Sequence, residues 1–214
     1  MNDLLRIVHA TPRYVVIDKP SGMLSVPGKG EAKQDCAAAR VRTMFPGARG
    51  PLVVHRLDME ASGLLIFGLD EDAQRELSGQ FERREVTKHY AALLEGDVPG
   101  DAGVVDLPVR ADITQRPVQI VDYVHGRAAR TSWRVLSRET DRTRVHFEPL
   151  TGRTHQLRVH SAAPRPGGLG CPIVGDALYG TGAAAPRLML HATHLALREP
   201  GGGPLVQFRS AAPF

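Results

Sequence analysis

The amino-acid sequence predicts an α+β fold in which helices and loops flank a largely antiparallel mixed β-sheet, with the active site in a central cleft. Short apolar runs bounded by turn residues recur along the chain, and only a few segments between them show helical spacing. This strand-rich order with interspersed helices favours the α+β class. The length of 214 residues, with 42% hydrophobic and 23% charged residues, suits one globular domain that buries a core.

The strands are predicted where apolar runs lie between turn residues. The first two are expected at 4–8 and 14–18, and the sequence Lys19-Pro20-Ser21-Gly22 ends the second, because proline lacks an N–H and glycine permits positive φ. Two short apolar runs flank a polar stretch within 52–69. The later strand candidates are 90–94, 118–121, 131–136, 144–148, 187–196 and 204–209.

Three helices are predicted from spacing and capping residues. Residues 35–45 repeat Cys36, Ala39 and Thr43 or Met44 at intervals of three or four. Asp70 can cap a second helix that runs to about Arg83. A short third helix is expected at 154–161, followed by a loop rich in proline and glycine at 164–170. The apolar face of the second helix is formed by Ala73, Leu77 and Phe81.

The composition excludes several classes of protein. No apolar run is long enough to span a bilayer, and the N-terminus lacks the basic and apolar regions of a secretory signal. Cys36 and Cys171 match no metal-ligand spacing, so free thiols in a reducing cytoplasm are expected. His191 and His194 stand three residues apart without an evident third ligand, so no metal site is expected.

The charge balance predicts a nucleic-acid partner. Lysine and arginine number 27 against 23 acidic residues, and only four of the 27 are lysines. Arginine binds phosphate through two parallel hydrogen bonds and stacks on bases, which lysine does not do. The alternative interpretation is that the arginine content reflects a high-GC genome. The arginines at 127, 130, 134, 138, 142 and 144 form either an RNA-facing stripe or a solvated hairpin face balanced by Glu139 and Asp141.

Six motifs, in order, resemble those of the RluA-type pseudouridine synthases. The most specific is His-Arg-Leu-Asp-Met-Glu-Ala-Ser-Gly at 55–63. The others are 18–28, Lys88-His89-Tyr90, the arginine motif at 151–160, Pro172–Asp176 with Tyr179-Gly180, and Leu190-His191-Ala192. The sequence His-Arg-Leu-Asp alone would be weak evidence for the family. The six motifs in order are specific evidence, and they cover about residues 10 to 212.

The resemblance implies a pseudouridine synthase fold and a cofactor-free enzyme that isomerises uridine to pseudouridine in folded RNA. It implies that Asp58 is the essential carboxylate and that Arg158 keeps it ionised, since an arginine opposes the rise in carboxyl pKa that desolvation causes. It implies that Tyr90 stacks on the uracil, where it could accept the proton from C5. Leu190 would form an apolar wall beneath the base.

Other site residues follow from the same motifs. Arg56 is expected to contact the RNA backbone or to fill the space that the flipped uridine leaves. Arg153, in the motif of Arg158, is expected to bind substrate. The histidines expected to support the active-site loops by hydrogen bonding are His55, His155 and His191.

The reaction breaks the N1–C1′ bond, turns the base and rejoins it through C5, so it needs no redox partner or energy source. Asp58 could attack the ribose or the base, or remove the C2′ proton to give a glycal; the sequence leaves these routes open. The short family members imply a single catalytic domain over 1–214 without an additional N-terminal RNA-binding domain. They also imply tRNA anticodon stem-loops and large-subunit rRNA as substrates. A monomer is the simplest expectation.

Two departures from the family pattern bear on these expectations. Ala61 stands where threonine is usual, and the connection at 162–170 is longer than expected. The alternatives are a catalytically silent RNA-binding protein on the same fold and a synthase that acts on a different RNA. A protein kinase is excluded because the chain lacks the glycine-rich loop and the Asp-Phe-Gly metal site.

Overall fold

The computed structural model describes residues 5–181 and 185–214, which divide into two compact units. Unit 1 is formed by Met1–Lys88 and His191–Pro213, so it is built from both ends of the chain. Unit 2 is formed by His89–Leu190 together with Phe214. The expectation of a single domain over 1–214 remains a prediction.

The described residues contain eleven strands and three α-helices. In chain order the elements are β1 (Arg6–Ala10), β2 (Tyr14–Lys19), α1 (Ala37–Met44), β3 (Ser62–Gly68), α2 (Glu71–Glu82), β4 (Thr87–Glu95), β5 (Ala102–Asp106), β6 (Val109–Ala111), β7 (Gln119–Val121), β8 (Arg130–Arg138), β9 (Arg142–Pro149), α3 (Gln156–Ala162), β10 (Leu190–Arg198) and β11 (Leu205–Arg209). A short 3-10 turn lies at Glu31–Lys33. None of these helices combines the length and apolarity needed to cross a lipid bilayer.

Unit 1 contains a mixed sheet in the order β1-β2-β3-β10-β11. Its neighbours are antiparallel except β3 and β10, which pair in parallel at His191↔Ser62 and Ala192↔Gly63. All seven residues of β3 are buried. The apolar core around β3 and α2 consists of Tyr14, Val16, Leu64, Ile66, Leu77, Val86, Leu195, Leu197 and Phe208.

Unit 2 contains an antiparallel sheet in the order β4-β9-β8-β5 and a separate two-stranded hairpin of β6 and β7. The α+β class and the largely antiparallel pairing are therefore confirmed. A smaller cluster of Val109, Ala129 and Val159 packs α3 against the hairpin and the segment that follows it.

Side-chain caps begin the first two helices; the cap at Asp70 is where the sequence predicts it, whereas Cys36, predicted to lie inside the first helix, is its cap. Asp70 Oδ1 accepts a hydrogen bond from Ala73 N at 2.8 Å, and α2 then runs to Glu82. Cys36 Sγ accepts from Ala39 N at 3.4 Å at the start of α1. Both caps satisfy backbone N–H groups that have no partner within the helix.

Some strands differ from the prediction. β1 begins at Arg6 and ends at Ala10, so it lies further along the chain than 4–8; Leu4 is outside the described residues. β5 and β6 were not predicted. In β5, a Cβ on Gly103 would lie 3.0 Å from the ring of Trp133 on β8, so the glycine makes room for the indole. Glycine is unfavourable in strands, and the reason for it here is a side chain thirty residues away, so the sequence near Gly103 does not indicate a strand.

Candidate active site

The residues expected to act in catalysis or substrate binding are found in both units. Unit 1 contains His55, Arg56 and Asp58 in the irregular segment 55–61 before β3, called here the Asp58 loop. Unit 2 contains the remaining five, which are Tyr90, Arg153, His155, Arg158 and Leu190.

A buried lysine ties the Asp58 loop to the segment at 18–28. Lys19 has no exposed surface, and its ammonium donates to three backbone carbonyls: Met59 O at 3.1 Å, Met23 O at 2.7 Å and Pro20 O at 3.0 Å. An ammonium carries three protons, so each is matched by one of these oxygens. The carbonyl of the residue after Asp58 is thus bound to a buried cation.

Backbone and hydroxyl groups of the same segment hold the rest of the loop. Gly22 N also donates to Met59 O, at 2.9 Å. The Ser25 hydroxyl donates to Leu57 O at 2.7 Å and accepts from Leu57 N at 3.0 Å. The Ser21 hydroxyl donates to Glu60 O. The residues on both sides of Asp58 are therefore fixed to 18–28, which restricts where the half-buried carboxylate can lie.

His55 anchors the start of the loop as a neutral imidazole. Its Nε2 accepts a hydrogen bond from Ile66 N at 3.2 Å, and its ring stacks on Phe81 of α2 with centroids 4.3 Å apart. Desolvation lowers the pKa of His55 to about 3, and the charge of Lys88 contributes in the same direction. A neutral ring suits a nitrogen that must accept a hydrogen bond.

A chain of hydrogen bonds reaches the end of the loop from β10 and the C-terminal segment. Ser210 Oγ donates to Asp18 Oδ2 at 2.6 Å and lies 3.0 Å from His191 Nε2. Since the only hydroxyl proton of Ser210 is used on Asp18, His191 Nε2 must carry a proton and donate it. His191 Nδ1 lies 2.7 Å from the hydroxyl of Ser62, the first residue of β3.

In unit 2, Arg158 forms a buried bidentate pair with Asp176. Its side chain on α3 is 1% exposed and that of Asp176 is not exposed. Arg158 Nε donates to Asp176 Oδ2 at 2.8 Å, and Nη2 donates to Oδ1 at 2.7 Å. Asp176 Oδ1 also accepts from the backbone N–H groups of Leu178 and Tyr179. The sequence motifs predict no role for Asp176, although it belongs to one of the six.

Tyr179 joins Arg158 to two neighbouring segments. Its ring centroid lies 5.2 Å from Arg158 Cζ, and its hydroxyl accepts from Gln119 N of β7 at 2.7 Å. The same hydroxyl lies 2.8 Å from Nδ1 of His155, which has a left-handed backbone with φ 51°. A residue other than glycine in this conformation is held there by its contacts.

The turn before α3 is fixed by Gln156. Its Oε1 accepts from the Thr151 hydroxyl at 2.7 Å and from Arg153 N at 3.0 Å. Its Nε2 donates to Arg130 O and to the Thr131 hydroxyl, both at 3.0 Å. The half-buried Arg153 side chain donates from Nε to Ala128 O at 3.1 Å.

The other two residues from the motifs lie on strands. Tyr90 is half-buried on β4, opposite Phe147 of β9. Leu190 is buried at the first position of β10. Within the described ranges, no cluster of three or more histidine, cysteine, aspartate or glutamate side chains has the arrangement of a metal site.

Several arginines of the 127–144 stripe take part in surface ion pairs. Arg138 donates to Asp97 and Asp101, and Arg144 lies 3.9 Å from Glu139. These contacts favour the interpretation of this segment as a solvated hairpin face.

Comparison with known proteins gives consistent matches. The family model for RNA pseudouridylate synthases matches residues 13–163. The dual-specificity RNA pseudouridine synthase RluA of Yersinia pestis is 42% identical over 212 residues, covering 97% of this chain and 99% of that protein. The protein of the same name from Pasteurella multocida is 46% identical over 200 residues, covering 92% and 88%.

Solved structures show the same similarity. Human RNA pseudouridylate synthase domain containing 1 is 28% identical with a TM-score of 0.80, covering 98% of this chain and 84% of the human chain. Human RNA pseudouridylate synthase domain containing 4 is 26% identical with a TM-score of 0.76, covering 97% and 88%.

We predict that Asp176→Ala destabilises the protein far more than an equivalent change at the surface. The substitution removes the carboxylate that pairs with the buried Arg158 guanidinium, and breaking a buried ion pair typically costs about 3–5 kcal/mol of unfolding free energy. The matched control is Asp101→Ala, which removes the 89% exposed partner of Arg138 and should cost at most about 1 kcal/mol. Urea unfolding of both variants measures the difference, and equal losses would contradict the prediction.

We predict that His55 makes stability depend on pH below neutrality. Because its folded pKa of about 3 lies below the ordinary value of 6.5, the unfolded chain binds the extra proton between these values. The stabilisation is complete above pH 6.5 and falls as the pH drops toward 3, with a slope of up to about 1.4 kcal/mol per pH unit. His55→Gln keeps an acceptor but cannot ionise, so urea midpoints from pH 7 to 4 should show a shallower slope. A slope identical to that of the native chain would refute this.

Proposed function

The chain belongs to the RNA pseudouridylate synthase family, and from this premise we propose that Asp58 is the carboxylate with which it isomerises uridine to pseudouridine. The chain is an isomerase that acts on RNA. The observation that carries the role of Asp58 is the clamp on its loop. Lys19 and Gly22 bind the carbonyl of Met59, and Ser25 binds both backbone groups of Leu57.

Such a clamp is what a catalytic carboxylate requires. A reacting group must be held close to its productive position before substrate arrives, because any conformational freedom that it keeps must be lost on reaching the transition state. The hydrogen bonds from 18–28 hold the backbone on both sides of Asp58 in this way.

The reaction is an isomerisation that leaves the composition of the nucleotide unchanged, with one proton exchanged with solvent. The N1–C1′ bond breaks, a C1′–C5 bond forms, and the proton on C5 is lost while N1 gains one. Asp58 either bonds to the ribose or base, or removes the C2′ proton to give a glycal. Arg158 favours the ionised form of Asp58, and Arg56 contacts the RNA backbone or fills the space of the flipped base.

Four further residues are proposed to act on the substrate, by resemblance to the family motifs. Tyr90 stacks on the uracil and accepts the C5 proton, and Leu190 supports the base from below. His155 and Arg153 bind the substrate. Their positions are fixed by hydrogen bonds, one between His155 and Tyr179 and one from the Arg153 backbone to Gln156.

The proposed substrates are tRNA anticodon stem-loops and large-subunit rRNA. The relatives are named as dual-specificity enzymes, and they match this chain along nearly its whole length. We further propose that the chain works in the cytoplasm as a monomer with one catalytic domain and without a metal or cofactor. Isomerisation by a carboxylate requires neither.

The test of function is tritium release from RNA that carries 5-tritiated uridine. The substrates are bulk tRNA and protein-free rRNA from a strain lacking the gene. The native enzyme should release tritium, and Asp58→Asn should lose roughly a thousandfold or more of the rate. Asp72→Asn, an exposed change on α2, is the matched control and should keep full activity. An active Asp58→Asn enzyme would exclude the carboxylate mechanism, and a native chain that binds RNA without release would be a silent binder.

We predict that Tyr90→Phe separates the two roles of the tyrosine. The phenylalanine ring still stacks on the base, so KM should change by less than about threefold. The lost hydroxyl can no longer receive the C5 proton, so kcat should fall roughly a hundredfold or more. Steady-state kinetics with tRNA measures both, and Tyr90→Leu, which removes stacking as well, should also raise KM. An unchanged kcat in Tyr90→Phe would assign the residue to stacking alone.

A further inference from the structure

The turn that follows β7 exposes two adjacent large apolar side chains. Tyr123 is 76% exposed and Val124 is 81% exposed. Both belong to residues 122–126, called here the Tyr123 turn, which connects β7 to the bridge between Arg127 and Val109. Single exposed apolar residues are common on proteins, but a neighbouring pair that includes an aromatic ring is a surface suited to binding.

Hydrogen bonds hold the Tyr123 turn in one conformation. Asp122 Oδ1 accepts from Val124 N at 2.8 Å and from His125 N at 2.9 Å, and Arg110 Nε donates to Asp122 Oδ2 at 2.5 Å. A Cβ on Gly126 would lie 2.2 Å from Asp122 O, so the turn closes only around a glycine. The ring of Tyr123 is thus presented on an ordered backbone, which reduces the entropy lost on binding.

The surroundings of the turn are positively charged. Segment 109–130 contains four arginines and two aspartates, with no lysine or glutamate. The hydroxyl of Thr114 lowers the pKa of Asp112, and the backbone N–H of His125, followed by Arg110, lowers that of Asp122. Both carboxylates therefore bind within the segment, while Arg127, which borders the turn, is exposed. An exposed aromatic ring beside an exposed arginine matches the chemistry of a nucleic-acid strand.

The Tyr123 turn is connected through β7 to residues that contact the arginine motif. β7 begins at Gln119, whose N–H donates to the hydroxyl of Tyr179, and the ring of Tyr179 contacts Arg158. Four residues of extended chain span at most about 14 Å, so Tyr123 begins within that distance of Gln119. Arg153 also bonds to this region, through Ala128 O.

We infer that the Tyr123 turn is a contact surface for the RNA substrate, on which Tyr123 stacks against an unpaired base other than the uridine that reacts. This rests on the proposed function, since it assigns a second contact to the same RNA. A ring at the surface reaches only a base that is already outside a helix, as in a loop. Arg127, which borders the turn, binds a phosphate of the same strand.

The experiment compares Tyr123→Ala, Tyr123→Phe and a control, Ile113→Ala, in tritium-release kinetics and in RNA binding by fluorescence anisotropy. Ile113 is 75% exposed and lies in the loop at the opposite end of the β6–β7 hairpin. Tyr123→Ala should raise both Kd and KM about tenfold while kcat stays unchanged, because stacking is lost and the chemistry is not touched. Tyr123→Phe and Ile113→Ala should stay within about twofold of the native enzyme.

The outcomes separate this inference from the proposed function. Unchanged Kd and KM in Tyr123→Ala would overturn the RNA contact, and so would a change in oligomeric state without a change in RNA affinity. The latter would assign the turn to a protein interface. Binding is repeated with Asp58→Asn as background, so the effect of Tyr123 is measured even if no tritium is released. Failure of release with a tenfold binding effect would overturn the catalytic proposal alone.

Discussion

The position of the Asp58 loop depends on the hydrogen bonds that buried Lys19 donates to three backbone carbonyls. Burying an ammonium is costly unless its N–H groups are hydrogen-bonded, and here three carbonyl oxygens accept hydrogen bonds from it. Two of the three oxygens belong to the segment of Lys19 itself, and the third belongs to Met59. The cation therefore joins two stretches of chain that are forty residues apart, and the position of Asp58 follows from that junction.

The second unit uses a charge in the same way. Arg158 and Asp176 fix α3 to the segment after it, and Tyr179 connects that pair to His155 and β7. In each unit a buried cation fixes irregular segments of the chain. Lys19 donates to backbone carbonyls, and Arg158 donates to the carboxylate of Asp176. Irregular segments have few backbone hydrogen bonds of their own, so side chains must supply the order.

The sequence was informative where the determinants are local. Asp70 caps α2 as predicted, α1 lies within the predicted 35–45, and β2 and β4 include the predicted apolar runs 14–18 and 90–94. It was uninformative where the determinant is distant, as for Gly103 beneath Trp133 in the unpredicted β5. The motifs identified which residues matter, but not that Ser25 bonds to Leu57 or that Asp176 pairs with Arg158. Those contacts join positions 18 to 32 residues apart, which no local pattern encodes.

Because β10 and β11 of unit 1 follow residues 89–190 in the chain, the order of synthesis determines when unit 1 can be completed. His191 and Ser210 complete the hydrogen-bond chain to Ser62 and Asp18, and both are made after residues 89–190 of unit 2. A growing chain lacks this support until residues 191–210 have emerged from the ribosome, since translation delivers the N-terminal residues first. The segments that carry Asp18 and Ser62 therefore wait for the synthesis of the intervening unit before their hydrogen-bond partners exist.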